Sequence, residues 1–336
     1  MKRISRSVGL SDSSSTAAAR RAGADVVASL GMNEVRAGQA AIIITEAARN
    51  AVVYGRGGQL LMSGTSSPGQ IRLDILALDR GPGISDLSRA LQDGFSTGGT
   101  PGTGLGAIRR MASAFDLFSS PKGTALFARV AESAGTISPS PSLEFAGFSA
   151  PFPGETVCGD SIVWHGERDR VTFLVADGLG HGFGAAEAAE EAVRIFHQEK
   201  ASAPGEILAR MHDALKKTRG AAAAIAELRP YSGTLTYAGV GNIAGIVLSD
   251  TLGRNLISHN GTLGHATGRI QEFKIEWPRD ATLVMHSDGL QSRWDLSKYP
   301  GLSGKHPAVI AGVLLRDFRR ERDDVSVLVV KPAALM

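Results

Sequence analysis

Four acidic positions in the second half of this sequence stand beside glycine or another acid at the ends of apolar runs. They are Gly159-Asp160, Val175-Ala-Asp177-Gly178, His286-Ser-Asp288-Gly289 and Asp323-Asp324-Val325. Each Asp-Gly alone reads as turn chemistry. As a set they read differently: carboxylates gathered at strand ends repel one another and take up protons unless divalent cations neutralise them. All-oxygen ligands select Mg²⁺ or Mn²⁺. Two such ions suit hydrolysis of a phosphate ester, because they activate a water and no protein nucleophile is needed. His165, His259, His265 and His286 lack metal-ligand spacing, and His181 in GLGHGFG reads as a residue that shapes its loop, the alternative being one that bonds phosphate or acts as an acid.

The first half holds a different constellation. Glu46 and Asn50 lie four apart in TEAARNAVVYG, where the apolar spacing is helical, so both project from one face. An Asn oxygen suits Mg²⁺ shared with phosphates, and a neighbouring Glu can accept a proton from an attacking hydroxyl. About thirty residues on, an apolar strand ends in Asp79-Arg-Gly81-Pro-Gly83-Ile84. Here an acid can accept a hydrogen bond from an exocyclic amine, or cap the turn. Gly102-Thr-Gly104-Leu105-Gly106 then precedes a helix, where free N–H groups can hold phosphates. This string does not follow the first strand of a βαβ unit, which counts against a Rossmann domain.

The elements that must position these groups fall into two halves. A chain of 336 residues implies about two domains. From Ala131 to Pro153 the composition turns to Ser, Pro, Gly and Ala, which marks a linker, although Leu143–Phe148 alternates like a strand. The first half predicts helices over 14–30, 34–54 and 105–115, with strands over 59–63 and 71–78 and others up to 130. The second predicts strands over 160–165, 171–176, 222–228, 234–239, 243–248, 272–276, 282–286 and 325–330, with helices over 185–200 and 204–218 and another from 307. The fold class is α+β. Lys plus Arg exceed Asp plus Glu by only three charges and are scattered, so nucleic acid is not indicated. No apolar run reaches the length of a membrane helix, and a cytoplasmic protein is expected. Cys158 is the sole cysteine, which excludes an internal disulfide, and it reads as a small buried apolar residue.

The first three boxes, EAARN, DRGPGISD followed by ALQDGFST, and the GxGxG string, together with Lys122-Gly-Thr124, resemble the GHKL ATP-binding family, and within it the RsbT-type stressosome kinases. The resemblance covers about residues 8–131. It implies a Bergerat α/β sandwich in which Glu46 is the general base and Asn50 binds Mg²⁺. Asp79, helped by Thr124, reads the adenine amine of ATP beside Gly81 and Gly83, and Gly102, Gly104, Leu105 and Gly106 form a lid over the phosphates.

The acidic set, with VADGLGHGFGAAEAA, RGAAAAIAEL and TYAGVGNI, resembles the SpoIIE-type branch of the PPM phosphatases, and within it RsbX-type phosphatases. It covers about residues 143–331, after a linker at 132–142. It implies an αββα sandwich holding two Mn²⁺ or Mg²⁺ through Asp160, Asp177, the Gly178 carbonyl, Asp288 and Asp324. An arginine near the start of the domain, which clamps the substrate phosphate in eukaryotic relatives, is not evident here. Together the resemblances imply a bifunctional serine/threonine kinase and phosphatase acting on STAS-domain proteins of a stressosome-like module. The alternative is a phosphatase whose first half only binds ATP or a sigma-like partner.

Overall fold

Helical spacing of small and branched apolar residues between alternating runs requires a helix layer on a sheet, and the first half builds one. A computed structural model of the protein describes residues 2–67, 69–91, 104–133, 143–167, 169–249 and 253–333. Gly102 and most of the 132–142 linker lie outside the described residues. The chain divides into two units: Met1–Ile137 with Asp295–Asp317, and Ser138–Trp294 with Phe318–Met336.

In unit 1 the elements run β1 (Lys2–Leu10), α1 (Ser13–Leu30), α2 (Glu34–Val53), β2 (Gly58–Ser67), β3 (Gln70–Asp79), α3 (Leu87–Ala90), α4 (Gly104–Met111), β4 (Ala114–Ser120) and β5 (Gly123–Ser133). The strands form an antiparallel sheet in the order β1-β2-β3-β5-β4. Asp12 caps α1 by accepting from the Ser14 and Ser15 N–H groups, and Gly31 ends it in the left-handed region at φ 72°. Val26 and Leu30 of α1, Ile43 and Ile44 of α2 and Ile108 of α4 share one core with Leu60, Met62, Leu73, Ile75 and Leu126 of the sheet. Burying each of these large side chains contributes about 1.5–3 kcal/mol relative to exposure. The opening segment, which carries no strand in the sequence reading, forms the edge strand β1.

In unit 2, β6 (Leu143–Ala150), β7 (Asp160–Glu167) and β8 (Arg170–Gly178) precede α5 (Phe183–Gln198) and α6 (Pro204–Ala214). Then come β9 (Ala221–Arg229), β10 (Thr234–Val240), β11 (Ala244–Leu248), β12 (Gly253–Leu256), β13 (Phe273–Glu276), β14 (Thr282–His286) and β15 (Val325–Pro332). Two five-stranded antiparallel sheets result, β13-β10-β9-β8-β7 and β12-β11-β14-β15-β6. Ile162, Phe173 and Tyr237 of the first pack with Phe145, Met285 and Leu328 of the second in one sandwiched core. Helices α5 and α6 cover the outer face of the first sheet through Ala188, Phe196, Leu208 and Met211. The 143–148 alternation is indeed a strand, paired with β15.

Helix α7 (Pro307–Phe318) interrupts this order in space. The segment Asp295–Asp317 groups with unit 1, where it lies on the sheet face away from α1 and α2. A Cβ at Gly312 would stand 2.9 Å from Leu76, 3.0 Å from Leu78 and 3.3 Å from Ala125, so the missing side chain lets helix and sheet close up. The His306 ring stacks on Phe127 with centroids 4.2 Å apart, and the His306 N–H donates to Asp116 at 2.8 Å. Arg80 Nη2 donates to the Arg316 carbonyl. The compact units therefore do not follow sequence order.

Candidate functional site

In unit 1 the helical period puts Glu46 and Asn50 one turn apart on α2. The first residue of α4 meets that face: a Cβ at Gly104 would stand 2.8 Å from Glu46 Oε2 and 3.7 Å from the Asn50 side-chain atoms. Leu105 packs partly buried on the core, and Gly106 is buried. Asp79 ends β3, and its Oδ1 accepts from the Gly81 N–H at 2.9 Å and the Thr124 N–H at 3.2 Å. Thr124 Oγ1 lies 3.0 Å from Ser119 Oγ. Burial raises the Asp79 carboxyl above its ordinary range, against those two N–H donors. Gly83 has φ 77°, and a Cβ there would reach 2.2 Å from the Ser120 carbonyl oxygen. Most of the sequence-predicted residues that are described thus form two clusters, Glu46–Asn50–Gly104 and Asp79–Gly81–Gly83–Thr124, and a Cβ at Gly81 would stand 2.7 Å from the Tyr54 carbonyl oxygen at the end of α2. Arg49 is exposed.

In unit 2 the register of β7 and β8 sets Asp160 directly opposite Asp177. Asp160 is 4% exposed; its Oδ2 accepts from Ser287 Oγ at 2.5 Å while its buried Oδ1 has no hydrogen-bond partner. Burial pushes the Asp160 carboxyl up to about 7, opposed by the Ser287 hydrogen bond and reinforced by Asp324 and Asp323. Burial pushes Asp177 up to about 9, and the charges of Asp160, Asp288, Asp323 and Asp324 all add to the rise. Asp288 accepts from Asn242 Nδ2 at 2.7 Å.

The Asp323-Asp324 pair divides its work. Asp324 accepts backbone N–H groups on both oxygens, from Phe152 at 2.7 Å and Gly159 at 3.0 Å. It thereby ties the β6–β7 connection to the start of β15. Asp323 rises through burial and then through the charge of Asp288, with which it shares a side-chain hydrogen bond. A Cβ at Gly178 would stand 1.9 Å from the Ala185 carbonyl oxygen, which seats α5 against the end of β8.

A pair of divalent cations is tested by these contacts. Among the described residues no three His, Cys, Asp or Glu side chains form a ready ligand cage. The chemistry of the acids nonetheless fits: a buried carboxylate oxygen without a donor, and carboxyls raised by burial and by one another's charge, are what a cation relieves. His286 is not free to join, since its Nδ1 contacts the Ser287 carbonyl at 2.8 Å and its Nε2 accepts from Trp294 Nε1 at 3.2 Å. His181 stacks on Phe152 and pairs with Glu155 at 2.5 Å, as a loop-shaping residue does. Cys158 is partly exposed, and burial pushes its thiol well up, so it is not a thiolate.

Residues 10–130 match the histidine kinase-like ATPase domain model, and residues 167–332 match the Stage II sporulation protein E model. The Serine/threonine-protein kinase RsbT of Bacillus subtilis (strain 168) is 38% identical over 102 residues, 30% of this chain and 77% of that kinase. The Phosphoserine phosphatase RsbX of the same organism is 30% identical over 141 residues, 41% of this chain and 69% of that phosphatase. The chain belongs to the RsbT and RsbX families, fused. A chain from a solved bacterial stressosome structure is 27% identical with a TM-score of 0.53, over 56% of this protein and 99% of that chain. The crystal structure of RsbX with magnesium, at 21% identity and a TM-score of 0.52, shares the fold over 58% of this protein and 97% of that chain.

The chain thus carries an N-terminal α/β ATPase-like domain and a C-terminal mixed α/β domain of the PPM fold. Among the described residues no helix is long and apolar enough to cross a membrane. Sequence reasoning missed Asn242 and Ser287, which orient Asp288 and Asp160. Their signal was faint: Asn242 follows a turn glycine, and Ser287 sits between two residues already singled out.

Proposed function

We propose that the protein is a bifunctional serine/threonine kinase and metal-dependent phosphatase acting on STAS-domain partners of a stressosome-like module. The observation that supports the reading is that Glu46, Asn50 and Gly104 adjoin one another in the first unit, while Asp160 and Asp177 face each other across β7 and β8 in the second. In a Bergerat-type first unit, the Gly81 and Thr124 N–H groups occupy Asp79 Oδ1 and leave Oδ2 to accept from the adenine amine. Asn50 would hold Mg²⁺ on the phosphates. Glu46 takes the proton from a Ser or Thr hydroxyl as its oxygen bonds to the γ-phosphorus and the bond to ADP breaks. Gly104 and Leu105 bring the start of α4 over the transferring group.

In an αββα-type second unit, Asp160, Asp177, Asp288 and Asp323, with the Gly178 carbonyl, would hold two Mn²⁺ or Mg²⁺, Asp160 through the oxygen that has no donor. Asp324, expected in the ligand set from the sequence, has both oxygens taken by backbone N–H groups and braces the loop. Bound there, the cations would supply an activated water and neutralise phosphoryl oxygens. Asn242 and Ser287 fix the carboxylates that they touch, and Gly178 keeps the α5 loop close.

Incubation of the purified protein with ATP, Mn²⁺ and candidate STAS proteins, with phosphate followed by mass spectrometry, tests both halves. ATP-dependent phosphorylation lost in Glu46→Ala, and dephosphorylation lost on chelation, are expected. Absence of transfer by the wild type would leave the first unit a nucleotide-binding module.

A further inference from the structure

The acidic rim of unit 2 needs something that attracts an anion, because a phosphate ester approaches carboxylates that are themselves negative. The strand register places a candidate. Gly178 pairs with Ala221 across β8 and β9, and the Leu179 N–H donates to the Gly220 carbonyl at 2.9 Å. Arg219, next in the chain, therefore stands at the same sheet rim as Asp177.

Its guanidinium has a shaped seat over the 178–184 loop. A Cβ at Gly184 would stand 2.5 Å from Arg219 Nε and 2.7 Å from its Cζ, and one at Gly180 would stand 3.5 Å from Nη1. Nη1 reaches the His181 carbonyl at 3.4 Å. Among the described residues no carboxylate pairs with it, and the side chain is exposed. Arg319, by contrast, is spent on the Pro151 carbonyl at 2.6 Å. An exposed arginine ordinarily moves freely. Here, two glycines leave room for it to lie along the loop that follows Asp177.

Resting on the phosphatase reading, we propose that Arg219 is the substrate-binding arginine of this site and takes the phosphoryl oxygens of the incoming phosphoserine. The guanidinium offers a planar fork of donors that matches a phosphate. Apolar surface lies beside it: Leu179 is 54% exposed and Phe183 84%, in a loop where a protein substrate would meet them.

The test uses the full-length protein with Mn²⁺, 4-nitrophenyl phosphate as substrate and inorganic phosphate as ligand. Loss of a charged hydrogen-bond donor predicts that Arg219→Ala raises KM about tenfold with little change in kcat. Phosphate binding measured by calorimetry weakens by a similar factor. Arg219→Lys recovers part of the loss. Gly184→Ala keeps the charge but displaces the guanidinium, and raises KM in the same sense; Gly184 is inside a helix, so alanine suits its backbone. An unchanged KM and phosphate affinity in Arg219→Ala would overturn the proposal, as would a loss confined to kcat. If the wild type binds phosphate but hydrolyses nothing, the phosphatase reading fails, while the calorimetric comparison still decides the role of Arg219.

Discussion

Asp79 and Asp177 are both carboxylates at strand ends, and burial raises both above their ordinary range, yet their surroundings differ in sign. Two backbone N–H groups are already aimed at Asp79. Around Asp177 the neighbours that act on it are acids, and all of them push the same way. On the proposed reading, the first site, with two donors already in place, takes a ligand that offers an amine. The second, in which like charges crowd together, takes cations. A raised carboxyl pKa therefore carries no single meaning; the signs of the groups that oppose it separate a reading pocket from a cation site.

The sharpest way to break this contrast is Asp177→Asn. Hydrolysis of an aryl phosphate should fall on the order of 10²–10³-fold, with ATP binding unchanged; retained hydrolysis would remove Asp177 from the chemistry. Next, Asp79→Ala should weaken binding of a fluorescent ATP analogue by roughly 10- to 100-fold, as expected for loss of a charged hydrogen bond, and leave aryl phosphate hydrolysis intact. A smaller effect belongs to Asn242→Ala, which frees Asp288. Metal affinity should drop by about tenfold, as for other residues that orient a ligand, read by titrating activity with Mn²⁺.

The smallest effect concerns acid stability, where the units also diverge. In unit 2, burial lowers His165 and His197 from 6.5 to about 4. The unfolded chain then binds more protons between those values, so stability is lost as pH falls from 6.5 toward 4. In unit 1, Arg129 and Arg72 hold buried Asp74 well below 3.8 despite its desolvation, so its contribution persists until the pH falls below 3.8. Asp160 and Asp177, raised on folding, act in the opposite sense in the same unit, so the histidine contribution is read as a difference: in thermal melts at pH 7, 5 and 4, His165→Gln with His197→Gln should lose less stability toward pH 4 than the wild type. Equal pH dependence in the two forms would remove the histidines from the account.

Much of the site arrangement was legible in the sequence because it depends on local periods. Glu46 and Asn50 share a helix face by spacing alone, and strand ends flanked by Asp-Gly point at a rim. What required the fold was long-range. Lys2, Arg3 and Arg6 hide the alternation of β1, since an edge strand has little core to face. Asp323 and Asp324 look alike in sequence, and only the backbone N–H groups of Phe152 and Gly159 assign one of them to bracing. Helix α7 is apolar all round, with every residue from Pro307 to Arg316 buried. A helix with no polar face does not announce which sheet it will join.

That last feature has a consequence for inheritance. The stretch Asp295–Asp317 begins seven positions after Asp288 and ends six before Asp323, while its helix lies on the sheet of the ATPase-like unit. A genetic crossover at the Ser/Pro-rich joint would carry α7 away with the phosphatase gene and strip the kinase-like sheet of its cover. A single cut at that joint therefore does not divide the protein along the border of its two packed units.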